Sequence, residues 1–81
     1  MEKAYPMTTT VLDTKGLNCP LPILRAKKAI KDISVGAVLQ VLATDPGAVK
    51  DFEAFCRSTG NQLVDWKEDA GVYTFNIKKA A

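Results

Sequence analysis

The pattern of hydrophobic and polar residues at the start of the chain predicts a strand followed by a helix. Residues 8–12 are β-branched or apolar and predict a first strand. A turn-rich segment, residues 13–18, then leads to Cys19 and Pro20. From Pro20 to about Ile33 the apolar residues recur in steps of three and four, which is the spacing of one helix face. These positions are Ile23, Ala26, Ile30 and Ile33.

A second strand and helix follow in the same order. Residues 37–43 form a short, nearly continuous apolar run, which predicts a central strand or one covered on both faces. Asp45-Pro46-Gly47 places a side-chain oxygen before a proline at the first helical position, which is a helix-start signal. Gly60 suits the left-handed position just after the helix ends. The apolar stripe of this helix is Val49, Phe52 and Cys56.

The remaining chain predicts two strands, residues 62–66 and 72–77, joined by the polar turn 67–71. The last strand alternates apolar and polar positions, so one of its faces is buried and the other wet. The order β-α-β-α-β-β predicts an α+β fold, a two-layer α/β sandwich with two helices on one face of a four-stranded mixed sheet. We expect one domain over residues 1–81, with residues 1–7 disordered.

Composition narrows the class of protein. Hydrophobic residues make up 47% of the chain and charged residues 25%, as in an ordinary globular protein. No apolar run approaches the roughly 18 residues needed to cross a bilayer. Residues 1–7 also lack the apolar core of a secretory signal. We therefore expect a cytoplasmic protein that has no membrane partner.

Missing residue types exclude several kinds of chemistry. The chain has no histidine, so it cannot build a Ser-His or Cys-His pair of its own. Its two cysteines, Cys19 and Cys56, form no C-x-x-C redox pair and are too few for a zinc site of nitrogen and sulfur ligands. The five glycines are isolated and form no phosphate-binding motif. We expect no metal and no cofactor.

The segment Cys19-Pro20-Leu21-Pro22 carries the candidate chemistry. With Cys19 as N-cap, the two prolines would occupy the first and third helical positions, where a backbone N–H has no partner in the helix. A helix N-terminus carries about half a positive charge. A cysteine there can have its pKa lowered from about 8.5 to between ~3.5 and 7.5. Lys15 and Arg25 would add to this field if they reached the sulfur.

The two cysteines are expected to differ. A free cysteine is usually a small buried hydrophobe. Cys56 fits that description because it lies on the apolar stripe of the second helix. Cys19 lies instead in a turn before a helix that starts with prolines, which favours an exposed and reactive thiol.

The residues around Cys19 form a recognisable pattern: Leu12-Asp13, then residues 16–22 with the sequence Gly-Leu-Asn-Cys-Pro-Leu-Pro, then a helix that carries Lys27-Lys28. This pattern resembles the TusA/SirA-like family of small sulfur carriers, in which a cysteine-proline-any-proline motif begins the first helix. The resemblance covers about residues 9–79, and the family's element order agrees with the one predicted above.

The resemblance implies a persulfide relay. Cys19 would hold sulfur as a persulfide, and Pro20 and Pro22 would shape its site. The sulfur would come from a cysteine desulfurase or a rhodanese and pass to a cysteine of a DsrE-like or Tus-complex acceptor. The end uses in the family are tRNA 2-thiolation, molybdenum cofactor synthesis and sulfur-oxidation traffic. Such a protein acts stoichiometrically with partner enzymes, as a sulfurtransferase-type carrier rather than a self-sufficient catalyst.

The charge distribution suggests where a partner could dock. The net charge is +2, but residues 15–31 hold five basic residues and no acid, whereas the rest of the chain has six bases and nine acids. The basic residues of the first helix are candidates for docking an acidic patch, and the alternative is a solvated helix face. These residues are Arg25, Lys27, Lys28 and Lys31.

Two other functions stay open at this point. An RNA-binding module is conceivable for such a sandwich with a basic helix, but the small net charge and the lack of a paired aromatic stacking platform disfavour nucleic acid as a partner. A thiol-redox regulator would need Cys56 to resolve Cys19, with Cα atoms under about 7 Å apart. Trp66 is expected to pack at the core or on an edge strand.

Overall fold

The computed structural model describes residues 9–80 and has the predicted order of elements. They are β1 (Thr9–Thr14), α1 (Leu21–Ile30), β2 (Val38–Ala43), α2 (Ala48–Thr59), β3 (Gln62–Asp69) and β4 (Val72–Lys78). The four strands form one sheet in the order β1-β2-β4-β3. β1 is parallel to β2, and the other pairs are antiparallel. The predicted α+β class and mixed sheet are confirmed, while the expected disorder of residues 1–7 lies outside the described residues.

The core forms between both helices and one face of the sheet. In β2 the buried positions alternate with half-buried ones, as a strand with one covered face requires. Phe52 of α2 is fully buried, and its ring centroid lies 4.7 Å from that of Phe75 in β4. The buried members of this cluster come from α1, β2, α2 and β4, and Leu12 of β1 and Leu63 of β3 pack against it from its margin. The buried members are Ala26, Ile30, Leu39, Val41, Ala43, Ala48, Phe52, Phe55, Cys56, Phe75 and Ile77.

The opposite face of the sheet carries a chain of polar side chains. The amide of Gln40 donates a hydrogen bond to the Asn76 side chain at 3.0 Å, and Asn76 donates to the Asp65 carboxylate at 2.7 Å. These three residues lie side by side on β2, β4 and β3. Because cross-strand pairs of this kind stabilise a sheet without apolar cover, this face is suited to water.

The C-terminal ends of β1 and α1 differ from the predicted bounds. The first strand, predicted over residues 8–12, continues to Thr14, because Asp13 and Thr14 pair with Leu42 and Ala43 and the Thr14 hydroxyl donates to the Leu42 carbonyl. α1, predicted to run to about Ile33, ends at Ile30. The Lys79 ammonium donates to the carbonyls of Lys31 and Ile33 at 3.3 and 2.9 Å. These contacts replace the bonds that a longer helix would have made.

The second helix begins later than predicted. Gly47 is its N-cap and Ala48 its first residue, so Pro46 lies in the turn before the helix rather than at the first helical position. The Asp45 side chain bonds the Gly47 N–H in that turn instead of capping the helix. At the other end Gly60 has a φ of 80° and donates its N–H to the Cys56 carbonyl, as predicted for a left-handed cap.

β3 is longer than the predicted residues 62–66. It continues to Asp69, which pairs with Val72, so the turn of the hairpin shrinks to two residues. Ala70 and Gly71 both have positive φ, at 52° and 86°, as a tight hairpin turn of this hand requires. Neither α1 nor α2 is long enough and apolar enough to cross a membrane, among the residues the structure describes.

Replacing Phe52 by alanine tests the position of the core. Phe52→Ala is expected to lower the free energy of unfolding by about 3–5 kcal/mol, since it removes a fully buried ring and leaves a cavity. Urea unfolding followed by circular dichroism measures the loss. Val35→Ala is the control: Val35 is 64% exposed, so a change within about 0.5 kcal/mol is expected. Equal effects of the two substitutions would contradict this assignment of the core.

Candidate functional site

Cys19 lies in the loop between β1 and α1, and its side chain is exposed. It stands at one end of an open groove of about 480 Å³ between α1 and α2. The groove walls are mainly apolar, with polar groups at intervals. Its lining residues are Cys19, Pro20, Ile23, Leu24, Lys27, Asp51, Ala54, Phe55, Ser58 and Thr59. An external molecule can therefore reach the sulfur and lie against both helices at once.

The start of α1 is shifted by one residue from the prediction. Pro20, not Cys19, is the N-cap, and the cysteine stands one position before it. The Cys19–Pro20 peptide bond is cis. Leu21 is the first helical residue and donates its N–H to the Asn18 carbonyl at 2.9 Å, which closes a turn around the cysteine. Pro22 occupies the second helical position and is buried, so it anchors the helix start while Pro20 lines the groove.

Asp45 holds the cysteine loop against the start of α2. One of its carboxylate oxygens accepts the Cys19 N–H at 2.8 Å, and the other accepts the Gly47 N–H at 2.9 Å. The neighbouring Thr44 hydroxyl accepts the Gly16 N–H at 2.9 Å. Sequence reasoning treated Asp45 only as a helix-start residue. Its contact with Cys19 spans 26 positions, and no local signal indicates it.

The thiol of Cys19 is held in its protonated form by its neighbours. A hydrogen bond to the Asp51 carboxylate raises the pKa of Cys19 above its usual value, and partial desolvation and the negative charges of Asp51 and Asp45 act in the same direction. The sequence-based expectation of a lowered pKa is therefore wrong for the free thiol. That expectation considered only the N-terminus of α1, whose N-cap lies one residue after Cys19. It could not include the carboxylates of Asp45 and Asp51, which come from the loop before α2 and from α2 itself.

The predicted basic cluster is divided between two sides of α1. Only Lys27 lines the groove. Arg25 and Lys28 do not line the groove, because helix residues one or two positions away from Lys27 face other directions. Lys31 is exposed just beyond the helix end. All four side chains are exposed, and none pairs with an acid within 4 Å among residues 9–80.

Lys15 does not act on Cys19 as expected. Its ammonium lies 3.9 Å from the Asp13 carboxylate, back towards β1. Neither Lys15 nor Arg25 contributes to the pKa of the Cys19 thiol. The sulfur thus has two acidic neighbours rather than the basic ones that sequence proximity favoured.

Sequence reasoning missed the apolar rim beside the sulfur. Leu21 is 42% exposed and Leu24 is 54% exposed, although both belong to α1. Phe55 of α2 forms part of the groove wall and is otherwise buried. Exposed apolar side chains next to a reactive group are typical of a surface that another protein covers. The signal in the sequence was the presence of two leucines outside the predicted apolar stripe.

Cys56 and Trp66 are both packing residues, as predicted. Cys56 is buried in the core, and burial raises the pKa of its thiol. The Trp66 ring lies 6.3 Å from Tyr73 and 6.2 Å from Phe75, centroid to centroid. Phe75 itself is fully buried. Trp66 is 41% exposed and packs against these two rings on the edge strand β3, which is the edge-strand packing that the sequence predicted.

Comparison with known proteins gives one consistent result. The family model described as sulfurtransferase TusA matches residues 10–79. A sulfur carrier protein TusA from Allochromatium vinosum is 61% identical over 69 residues, which is 85% of this chain and 91% of that protein. A putative sulfur carrier protein from Neisseria meningitidis is 57% identical over 72 residues, 89% of this chain and 97% of that one. The crystal structure of a SirA-like protein from Desulfitobacterium hafniense superposes with a TM-score of 0.78 at 26% identity, covering 91% of this chain and all of that one.

The role of Asp45 can be tested by its pH dependence. Hydrogen bonds from the Gly47 and Cys19 N–H groups lower the pKa of Asp45. A carboxylate with a lowered folded-state pKa stabilises the protein above its unfolded pKa of about 3.9, and this stabilisation is lost as the pH falls through the folded value. Asp45→Ala is therefore expected to lower the urea midpoint at pH 7 and to differ less from the natural protein at pH 3.

Asp13→Ala is the control for this measurement. The Asp13 carboxylate accepts the Lys15 N–H at 2.9 Å, a contact within one turn that joins no separate segments. A smaller loss of stability at pH 7 is expected for it than for Asp45→Ala. A difference between the natural protein and Asp45→Ala that stays constant from pH 7 to pH 3 would contradict the role assigned to the carboxylate.

Proposed function

The chain belongs to the sulfurtransferase TusA family, and from this premise we propose that it is a sulfur carrier that binds sulfane sulfur on Cys19. The cysteine takes the sulfur atom from a donor protein, holds it as a persulfide and passes it to a cysteine of an acceptor protein. The observation that carries the proposal is the exposed thiol at the open end of an apolar groove. A second protein can reach the sulfur there while it lies along both helices.

The chemistry needs no cofactor. The Cys19 sulfur attacks the outer sulfur of a donor persulfide, a new S–S bond forms, and the donor cysteine leaves as a thiolate. The transfer to the acceptor is the same exchange with Cys19 as the leaving group. No net oxidation occurs because each exchange breaks one S–S bond and makes one. A carrier of this kind works stoichiometrically with its partner enzymes.

The sulfur has to come from a protein that forms a persulfide, for which a cysteine desulfurase or a rhodanese is the proposed donor. The proposed acceptor is a cysteine of a DsrE-like or Tus-complex subunit. The product would then be 2-thiolated tRNA, molybdenum cofactor or an intermediate of sulfur oxidation. We assign this exchange to the cytoplasm, where thiols stay reduced.

The basic side chains of α1 are the proposed docking contacts. Lys27 lines the groove, and the exposed Leu24 beside it supplies apolar surface. A partner with an acidic patch around its reactive cysteine would approach with the right orientation, since complementary charges steer encounters. Arg25, Lys28 and Lys31 would extend the positive surface around the contact.

The persulfide site can be tested by mass. Incubation with a cysteine desulfurase and cysteine, or with a rhodanese and thiosulfate, is expected to add about 32 Da, one sulfur atom, to the intact protein. Peptide mass spectrometry should locate it on Cys19. Cys19→Ser should abolish the adduct, whereas Cys56→Ser, which changes the buried thiol, should retain it. An adduct on Cys56 or one that persists in Cys19→Ser would overturn the assignment.

The docking contacts can be tested with two adjacent lysines. Lys27→Glu and Lys28→Glu change the net charge equally, but only Lys27 lines the groove. Lys27→Glu is expected to slow sulfur transfer by about tenfold at low salt, and Lys28→Glu less, with both effects shrinking as salt rises. The measurement is the initial rate of transfer at several ionic strengths. Rates equal to that of the natural protein at low salt would remove the docking role.

A further inference from the structure

The groove contains a second group placed to take part in the transfer. We propose that the Asp51 carboxylate accepts the proton of the Cys19 thiol when the carrier is loaded with sulfur. This inference rests on the proposed carrier function and adds a catalytic residue to it. It follows from the position of Asp51 in the groove beside Cys19 and from the residue types around the two side chains.

Asp51 reaches the sulfur from the facing helix. It lies in the first turn of α2, and its side chain lines the groove together with Cys19. Asp51 is the largest influence on the pKa of Cys19, which it raises through a side-chain hydrogen bond, as expected of a carboxylate that lines the same groove. The Asp51 N–H donates to the Gly47 carbonyl at 3.2 Å, which fixes the turn that carries the side chain. An acidic residue is also favoured at this end of a helix.

Other groups near the sulfur are poorly suited to accept the proton. The chain has no histidine. Asp45 is the other acidic neighbour, but its two oxygens accept the Cys19 and Gly47 N–H groups. Lys27, on the α1 side of the groove, is a cation. Among the residues that line the groove, Asp51 is the only carboxylate.

The loading step balances with Asp51 as the acceptor. The Cys19 sulfur bonds to the outer sulfur of the donor persulfide as the donor S–S bond breaks and the donor cysteine leaves as a thiolate. The Cys19 proton moves to Asp51, whose carboxylate becomes a carboxylic acid. One negative charge thus passes from Asp51 to the donor thiolate. Asp51 then returns the proton to that thiolate or to water as the proteins separate.

The Asp51 carboxylate acts differently in the free and the docked carrier. In the free protein it holds the proton on Cys19, because it disfavours a second negative charge beside it. In a complex, a partner that covers the groove excludes the bulk water that would otherwise take the proton. The carboxylate is then the acceptor at hand. Asp51 therefore keeps the exposed thiol protonated and unreactive in the free carrier, and it supports the reaction of the thiol in a complex with a donor.

The two effects predict opposite changes in one variant. Asp51→Asn removes the negative charge and should lower the pKa of Cys19, so alkylation by iodoacetamide at pH 7 should become faster. Loading from a persulfide-bearing cysteine desulfurase should become slower, by about tenfold or more if a general base is lost. The readout is the ratio of the two rates, each measured as a function of pH on the same sample of free carrier.

Two further variants sharpen the test. Glu53→Gln removes one negative charge from an exposed position of the same helix that does not line the groove, and both of its rates should stay within about twofold of the natural protein. Asp51→Glu restores a carboxylate and should recover part of the loading rate. Partial unfolding would also speed alkylation and slow loading, so circular dichroism and the urea midpoint of each variant must first match those of the natural protein.

The outcomes separate this inference from the function on which it rests. A natural protein that takes up no sulfur from a desulfurase or a rhodanese would overturn the carrier function. A natural protein that loads while Asp51→Asn loads at the same rate would overturn the inference alone. Slower alkylation and slower loading to the same extent would also overturn it, since that indicates a structural effect of the substitution.

Discussion

The site depends on the contact between the Asp45 carboxylate and two backbone N–H groups. These bonds join the loop before α1 to the loop before α2. The two loops can meet because β1 and β2 are parallel neighbours. Their carboxyl ends, where the two loops begin, therefore lie side by side at one end of the sheet. In sheets with parallel strands, this end is where binding crevices form. The position of Cys19 beside Asp51, and of both at the end of the groove, follows from that arrangement.

The fold was largely predictable because each element has its own local signal. Three-residue and four-residue spacing identified both helices, and alternation identified β4. Errors fell at the element ends, where contacts from distant residues decide. The Lys79 side chain bonds the carbonyls that follow α1, and pairing with β2 extends β1 to Thr14. Neither partner is adjacent in the sequence.

The exposure of Cys19 was predictable, but the electrostatics around it were not. The prolines after Cys19 marked it as an exposed cysteine at a helix start, and the structure agrees. The sign of its pKa change was wrong, because Asp45 and Asp51 lie 26 and 32 positions further along the chain. A field from the adjacent helix can be inferred from sequence alone. Charges contributed by another helix cannot, unless the crossing of the two helices is known.

Burial of Cys56 leaves Cys19 as the single accessible thiol of a chain with two cysteines. A carrier with one such position transports at most one atom on each journey between donor and acceptor. The flux through the relay is then the number of carrier copies multiplied by how often each completes the round trip. A cell would raise that flux through abundance and fast dissociation, because greater capacity per molecule is not available to this fold.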